Sequence, residues 1–268
     1  MAGRGLDEKG AIAREGSLDR VQDEFWPVVD AARDRILETF GSGRLRALYL
    51  YGSIPRGTAR IGRSDLDMLA VPHHEPTQAD RLAIEAVERG LDEELAQIDG
   101  AGILVISADV ILSELERYDL AFFAACLCTP LWGDDLAREL PRYRPTSLLA
   151  RETNGDLALV IPKWRARADA AKTDADRRLL ARHVGRRLVR SGFTLVMPSW
   201  GGWTSDLAES ADIFGDYYPQ RREQMRLAAV TGRTQRAEPE VLKMLIEDLG
   251  EWLAAEYAAV HGVKTPRD

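Results

Sequence analysis

The stretch YGSIPRGTARIGRSDLDMLAV, residues 51–71, holds the residue types that could do chemistry. Gly52 and Ser53 follow LRALYLY, an apolar run that reads as a strand. A glycine there allows a positive φ or a close backbone approach. A hydroxyl and free N–H groups at the start of a helix-like segment would then form an anion site. Further on, Asp65 and Asp67 flank Leu66 in SDLDMLAV, a second strand-like run. Residues two apart on a strand point to one face, so the two carboxylates would stand side by side. They repel unless a cation lies between them. Mg²⁺ takes oxygen ligands and is commonly held by one or two carboxylates together with substrate phosphates. The stretch therefore reads as a candidate metal–nucleotide site. Either half alone carries little: Asp-x-Asp is often a turn or a cap, and Ser64-Asp65 would suit one.

The elements that must position these residues are legible. Residues 18–40 show apolar positions at helical spacing, with a possible kink at Pro27 and a Gly41-Ser42-Gly43 stop. Strands are expected at 44–51 and 64–71, joined by a turn-rich connector containing a short helix. An amphipathic helix is expected over 77–97, a third strand over 102–112, a helix after it, and a strand in CLCTPLW before the turn WGDDL. From Pro141 onward the pattern turns helical: 147–171, 173–197, 204–214, 219–231 and 238–260. The expectation is a loose Gly-rich arm over 1–17, an α/β (α+β) core with a small mixed sheet over 18–142, and an all-α helical bundle over 143–268.

Whole-chain properties set limits. A net charge of −7 over 268 residues does not favour bulk attraction to a nucleic-acid backbone. Cys126 and Cys128 sit in an apolar run and give neither a disulfide framework nor a zinc site, which points to a reducing cytoplasm. The first residues carry no apolar secretory core, and no run long enough for a membrane span occurs. His73-His74, adjacent in a Pro-bounded loop, lacks metal-ligand spacing.

Gly-Ser, the spacer and Asp-x-Asp in strand context resemble the nucleotidyltransferases of the DNA polymerase beta superfamily. The two-domain plan is similar to that of aminoglycoside nucleotidyltransferases. The resemblance covers roughly residues 45–112, and WGDDL is similar to the turn that closes such cores. It implies that Gly52 and Ser53 hold the nucleotide's phosphates and that Asp65 and Asp67 bind two Mg²⁺ ions. A third acid on a later strand would be Asp109, a metal ligand and possible base, with Glu114 and Glu116 as competitors. ATP or another NTP would be the co-substrate and pyrophosphate the product.

Ser64, Arg56 and Arg63 flank the site as further nucleotide-binding candidates, since guanidinium pairs well with phosphate. In the helical half, Arg182, Arg186, Arg187 and Arg190 cluster, and Arg190 is the candidate to face the triphosphate, with Lys163 behind it. Trp200 and Trp203 in PSWGGWTSDL line a pocket or pin a loop, with Thr204 as the expected cap of the next helix. Asp206, Glu209, Asp212 and Asp216 would suit a cationic acceptor or form a solvated face. The function expected is transfer of a nucleoside monophosphate to a hydroxyl of a small molecule. A protein or tRNA acceptor, or a non-catalytic nucleotide-binding regulator, are the alternatives.

Overall fold

The computed structural model describes residues 4–41, 43–234 and 238–267. They fall into two compact units, Ala13–Tyr143, and Met1–Ile12 together with Arg144–Asp268. The arm expected over 1–17 is thus divided between them. Its Ala11 and Ile12 are buried, and Ile12 bridges to Leu6.

In the first unit, α1 (Trp26–Phe40) begins later than the sequence pattern suggests. Two single 3₁₀ turns, Leu18–Arg20 and Asp23–Phe25, precede it. Pro27 decides this: it lies in the first turn of α1, where its missing N–H leaves no bond unmade. The sheet has β1 (Leu45–Tyr51), β2 (Leu66–Pro72), β3 (Ala101–Val105) and β4 (Cys128–Gly133) in the order β3-β2-β1-β4. β1 runs antiparallel to β2 and β4, and β2 parallel to β3, so the sheet is mixed. The crossover from β2 to β3 is α2 (Gln78–Glu94), started by a Thr77–Asp80 capping box. Asp80 also pairs with Arg44 at 2.7 Å, and that guanidinium holds its carboxyl down at about 2.

Alternation along the strands gives the sheet two different faces. Leu48, Leu50, Leu66, Met68, Ala70 and Ile103 pack under α1 and α2. Ala47, Tyr49, Leu69, Val71 and Cys128 face the other way, against α3 (Ala108–Ile111) and α4 (Leu120–Phe122), which runs on as a π-helical turn, Phe123–Leu127. WGDDL closes this face. The Tyr49 hydroxyl donates to the Asp134 carbonyl at 3.2 Å and accepts from the Leu136 N–H at 2.8 Å.

The second unit is helical: α5 (Ser147–Asn154), α6 (Leu157–Ala170), α7 (Asp174–Trp200), α8 (Leu207–Tyr217), α9 (Arg222–Arg233), α10 (Pro239–Met244) and α11 (Glu251–His261). A π-helical stretch, Leu245–Gly250, joins the last two. The single pattern over 147–171 is two helices because α5 stops at Gly155. α7 is the central element, buried along Val184, Leu188, Phe193 and Met197, and it ends on Gly201 in the left-handed conformation. Among the described residues no helix is long and apolar enough to cross a membrane.

Candidate active site

Four residues form a row across the sheet on the face opposite α1 and α2. Asp67 on β2 is registered with Tyr51 on β1 and with Gly102 on β3, and Tyr51 is registered with Cys128 on β4. Asp65 precedes β2 by one residue, and by alternation it belongs to the same face. Both carboxylates are partly exposed, while Leu66 and Met68 between and beyond them are fully buried. The apolar neighbours anchor the strand and leave the acids at its open end. Tyr51 is braced edge-on by Phe123 at 4.9 Å between ring centroids. Cys128 is fully buried, and burial pushes its thiol well above the ordinary value.

Gly52 comes directly after Tyr51 with φ +81°. A Cβ there would overlap Asp67 Oδ2 and lie 3.3 Å from Asp67 Cγ. The glycine is thus required twice, by its φ and by the carboxylate that occupies the space of a side chain. This contact ties the Gly-Ser motif to the Asp-x-Asp motif in space.

Ser53 does not open a helix. Residues 53–57 are turns, closed by Gly57 N–H to the Ile54 carbonyl and Thr58 N–H to the Ser53 carbonyl, both at 3.0 Å. An anion here would meet turn amides and the Ser53 hydroxyl, without a helix terminus. Arg56 is committed to the protein: its Nε donates to the Gly52 carbonyl at 2.9 Å, and Nη1 lies 3.8 Å from Glu15 Oε2. Ser64 has a local duty too, because its hydroxyl accepts the Arg60 N–H at 2.9 Å and closes the turn before β2. Arg63 is exposed in that turn.

Asp109 is not where the sequence pattern puts it. β3 ends at Val105, and Asp109 lies in α3, whose N-cap is Ser107. The side chain is largely exposed, 3.1 Å from His74 Nδ1. His74 follows the end of β2, whereas Asp67 lies near its start. At about 3.3 Å per residue, β2 carries the chain about 16 Å between Asp67 and Pro72. Asp109 therefore cannot share a cation with Asp67. The apolar run after Asp109 misled the strand assignment: Ile111 is buried as one face of a helical turn. β3 supplies no substitute, since its residues in register with Asp67 and Leu69 are Gly102 and Leu104. Glu114 and Glu116 follow α3 and lie farther on. Among the described residues no three His, Cys, Asp or Glu side chains converge as a ligand group.

The helical unit places Arg190 on the exposed side of α7. His183 stands edge-on to Trp164, and burial lowers its pKa, with Arg167, Arg187 and Arg190 adding to the effect. Arg187 is engaged by Asp156, and Lys163 is exposed on α6. Trp200 and Trp203 pack edge-on against Phe193, both at 5.7 Å. Arg4 lies over the Trp200 ring, and its carbonyl accepts the Trp203 N–H at 2.8 Å. These contacts pin the loop. Asp206, not Thr204, caps α8 through the Ala208 and Glu209 amides. The acids of this region are balanced: Asp206 by Arg233, Asp212 by Arg226 and Asp216 by Arg222, while Glu209 accepts from Thr204.

No protein-family model matches the chain, and no curated protein matches its sequence. Among solved structures it is similar to spectinomycin adenyltransferase AAD(9) from Enterococcus faecialis, solved with ATP and spectinomycin. That likeness has a TM-score of 0.54 at 17% identity, and covers 85% of this chain and 98% of that one. The likeness is one of fold. In this chain a small mixed sheet comes first, with Gly52 and Ser53 just after β1 and Asp65 and Asp67 at the start of β2, and a helical unit follows.

Sequence reasoning missed three contributors to the site. Tyr51 and Gly102 become neighbours of Asp67 only through strand register, which no local pattern encodes. Glu15 sits in a charged, Gly-rich segment whose composition reads as an arm.

Proposed function

We propose that the chain is a Mg²⁺-dependent nucleotidyltransferase that moves AMP from ATP onto a hydroxyl of a small molecule. The observation that carries this is the seating of Gly52 against the Asp67 carboxylate, which brings a phosphate-type turn and a carboxylate pair to one edge of the sheet. The donor set is all oxygen, which suits a hard cation that keeps substrate phosphates and water among its ligands. Asp65 and Asp67 would hold Mg²⁺. When bound, it would neutralise triphosphate charge and favour in-line displacement at the α-phosphorus. With no third carboxylate converging on them as a ligand group among the described residues, two ions would depend on the nucleotide's own oxygens for further ligands.

The chain's residues then have distinct tasks. Gly52 and Ser53 present backbone and hydroxyl to the phosphates. Arg56 keeps that turn in shape. Arg63 is the exposed cation of the same unit that would meet triphosphate charge. In the reaction the acceptor oxygen forms a bond to the α-phosphorus, the bond from that phosphorus to the bridging oxygen breaks, and pyrophosphate leaves as the hydroxyl proton is released. Positioning and charge neutralisation supply most of the rate.

ATP as donor and a hydroxyl-bearing small molecule as acceptor are supported by the ligands of the AAD(9) structure. The arginine-balanced acids of α8 give no particular support to a cationic acceptor. The free, buried cysteines suit a reducing cytoplasm. The test is pyrophosphate release from ATP and Mg²⁺ against a panel of aminocyclitols, aminoglycosides and neutral polyols. At least one acceptor should give Mg²⁺-dependent release that is lost in Asp65→Asn and Asp67→Asn with folding retained. Full activity in either variant would refute the assignment.

A further inference from the structure

The residues just before the first helical turns lie along the Gly52–Gly57 turn at successive points. Arg14 anchors them, with Nε donating to the Ala125 carbonyl at 3.1 Å and a two-pronged pair to Asp135 at 2.9 and 2.8 Å. The Glu15 N–H donates to the Cys126 carbonyl at 2.9 Å. At Gly16 a Cβ would come within 2.9 Å of Pro55 Cβ and 2.5 Å of Thr129 Oγ1, so the backbone lies flush on the turn. The Ser17 N–H donates to the Pro55 carbonyl at 3.0 Å. Gly57, at φ +71°, is pressed against the Arg20 carbonyl, where a Cβ would stand at 2.9 Å. Finally Arg56 joins the two layers, touching the Gly52 carbonyl with one nitrogen and the Glu15 carboxylate with another.

We infer that residues 14–20 are a strap that sets the conformation of the phosphate-binding turn, with Glu15 and Arg56 as positioning residues. The inference rests on the nucleotidyltransferase reading of that turn. The Glu15 carboxylate is mostly shielded, with 15% of the side chain exposed, so the ion pair at 3.8 Å is only partly screened. Arginine suits the position because its planar fork holds one nitrogen on the Gly52 carbonyl while another faces the carboxylate; a lysine ammonium would have to meet both from a single point. Arg56 therefore acts on nucleotide through the Gly52 carbonyl and not as a phosphate ligand.

The test uses the full chain carrying Glu15→Gln, Arg56→Lys or both. In the unliganded protein, the Gly57 and Thr58 amides should exchange about tenfold faster in each variant, with α2 amides unchanged. In turnover, KM for ATP should rise about tenfold with kcat within threefold, the split expected when binding is weakened equally in the ground and transition states. Glu15→Gln should add nothing further in the Arg56→Lys background. If Glu15→Gln fails to fold, Glu15→Asp, which keeps the charge one methylene shorter, should show the same split. Unchanged exchange at Gly57 and Thr58 in an active enzyme overturns the strap alone, as does an additive double variant. A wild-type protein that transfers no nucleotide overturns the reading of the site and the strap's purpose with it.

Discussion

Gly52→Ala tests the junction between the two motifs. The alanine must adopt φ +81°, which costs about 1–2 kcal/mol for a residue with a Cβ. Its methyl must also take the space of the Asp67 carboxylate, whose Cγ lies 3.3 Å from the Cβ position. The atoms nearest that Cβ position all belong to the Asp67 side chain, so the carboxylate is the group that yields. If Asp67 holds Mg²⁺ as proposed, displacing its oxygen by about 1 Å costs on the order of 10²-fold in rate, equivalent to about 2.7 kcal/mol in the barrier. The control is Gly41→Ala. Gly41 has φ +71° in the same unit, and a Cβ there meets nothing within 4 Å. Both variants should lose comparable stability in thermal melts, a few degrees at most. Only Gly52→Ala should lose about 10²-fold in kcat/KM for nucleotidyl transfer. Equal activity of the two variants would refute the claim that Gly52 is required by Asp67.

Asp109→Ala should keep kcat within threefold of wild type, because Asp109 lies beyond the far end of β2 and pairs with His74. A loss of two or more orders of magnitude would restore it to the site. Asp80→Asn should destabilise the core by about 1–2 kcal/mol at pH 7, a value discounted because Arg44 is half-exposed. Since Asp80 is depressed from 3.8 to about 2, its contribution is present above pH 3.8 and is lost as pH falls toward 2. Denaturant melts of wild type and variant should therefore converge over that window. Asp212→Asn and Asp216→Asn should leave acceptor KM within twofold, because each acid is balanced by an arginine of α9. A tenfold rise for a cationic acceptor would show that these acids bind it.

The core strands and the Asp65–Asp67 pair were legible because alternation forces Leu66 and Met68 inward and leaves the acids on the other face. Gly52 was legible as a special backbone position, but the reason for it was not, since its steric partner is fifteen residues away in sequence. Asp109 was misread because a run of apolar residues fits a strand and a buried helical turn equally well at that length. The Ser107 cap, whose hydroxyl oxygen accepts the Val110 N–H, was the local sign of a helix. The helix starting at Trp26 was misplaced because amphipathic spacing continues through the 3₁₀ turns ahead of Pro27. Residues 4–17 were unreadable in principle: they are held by backbone hydrogen bonds and ion pairs to distant segments, and polar, Gly-rich composition carries no trace of such partners.

The most direct measurement of the central claim uses ATP labelled in turn at the α- and γ-phosphorus, with wild type and Asp67→Asn. The account predicts that the α label enters the acceptor, that the γ label leaves in pyrophosphate, and that Asp67→Asn does neither. Entry of the γ label into the acceptor, or α-label transfer undiminished in Asp67→Asn, would contradict it.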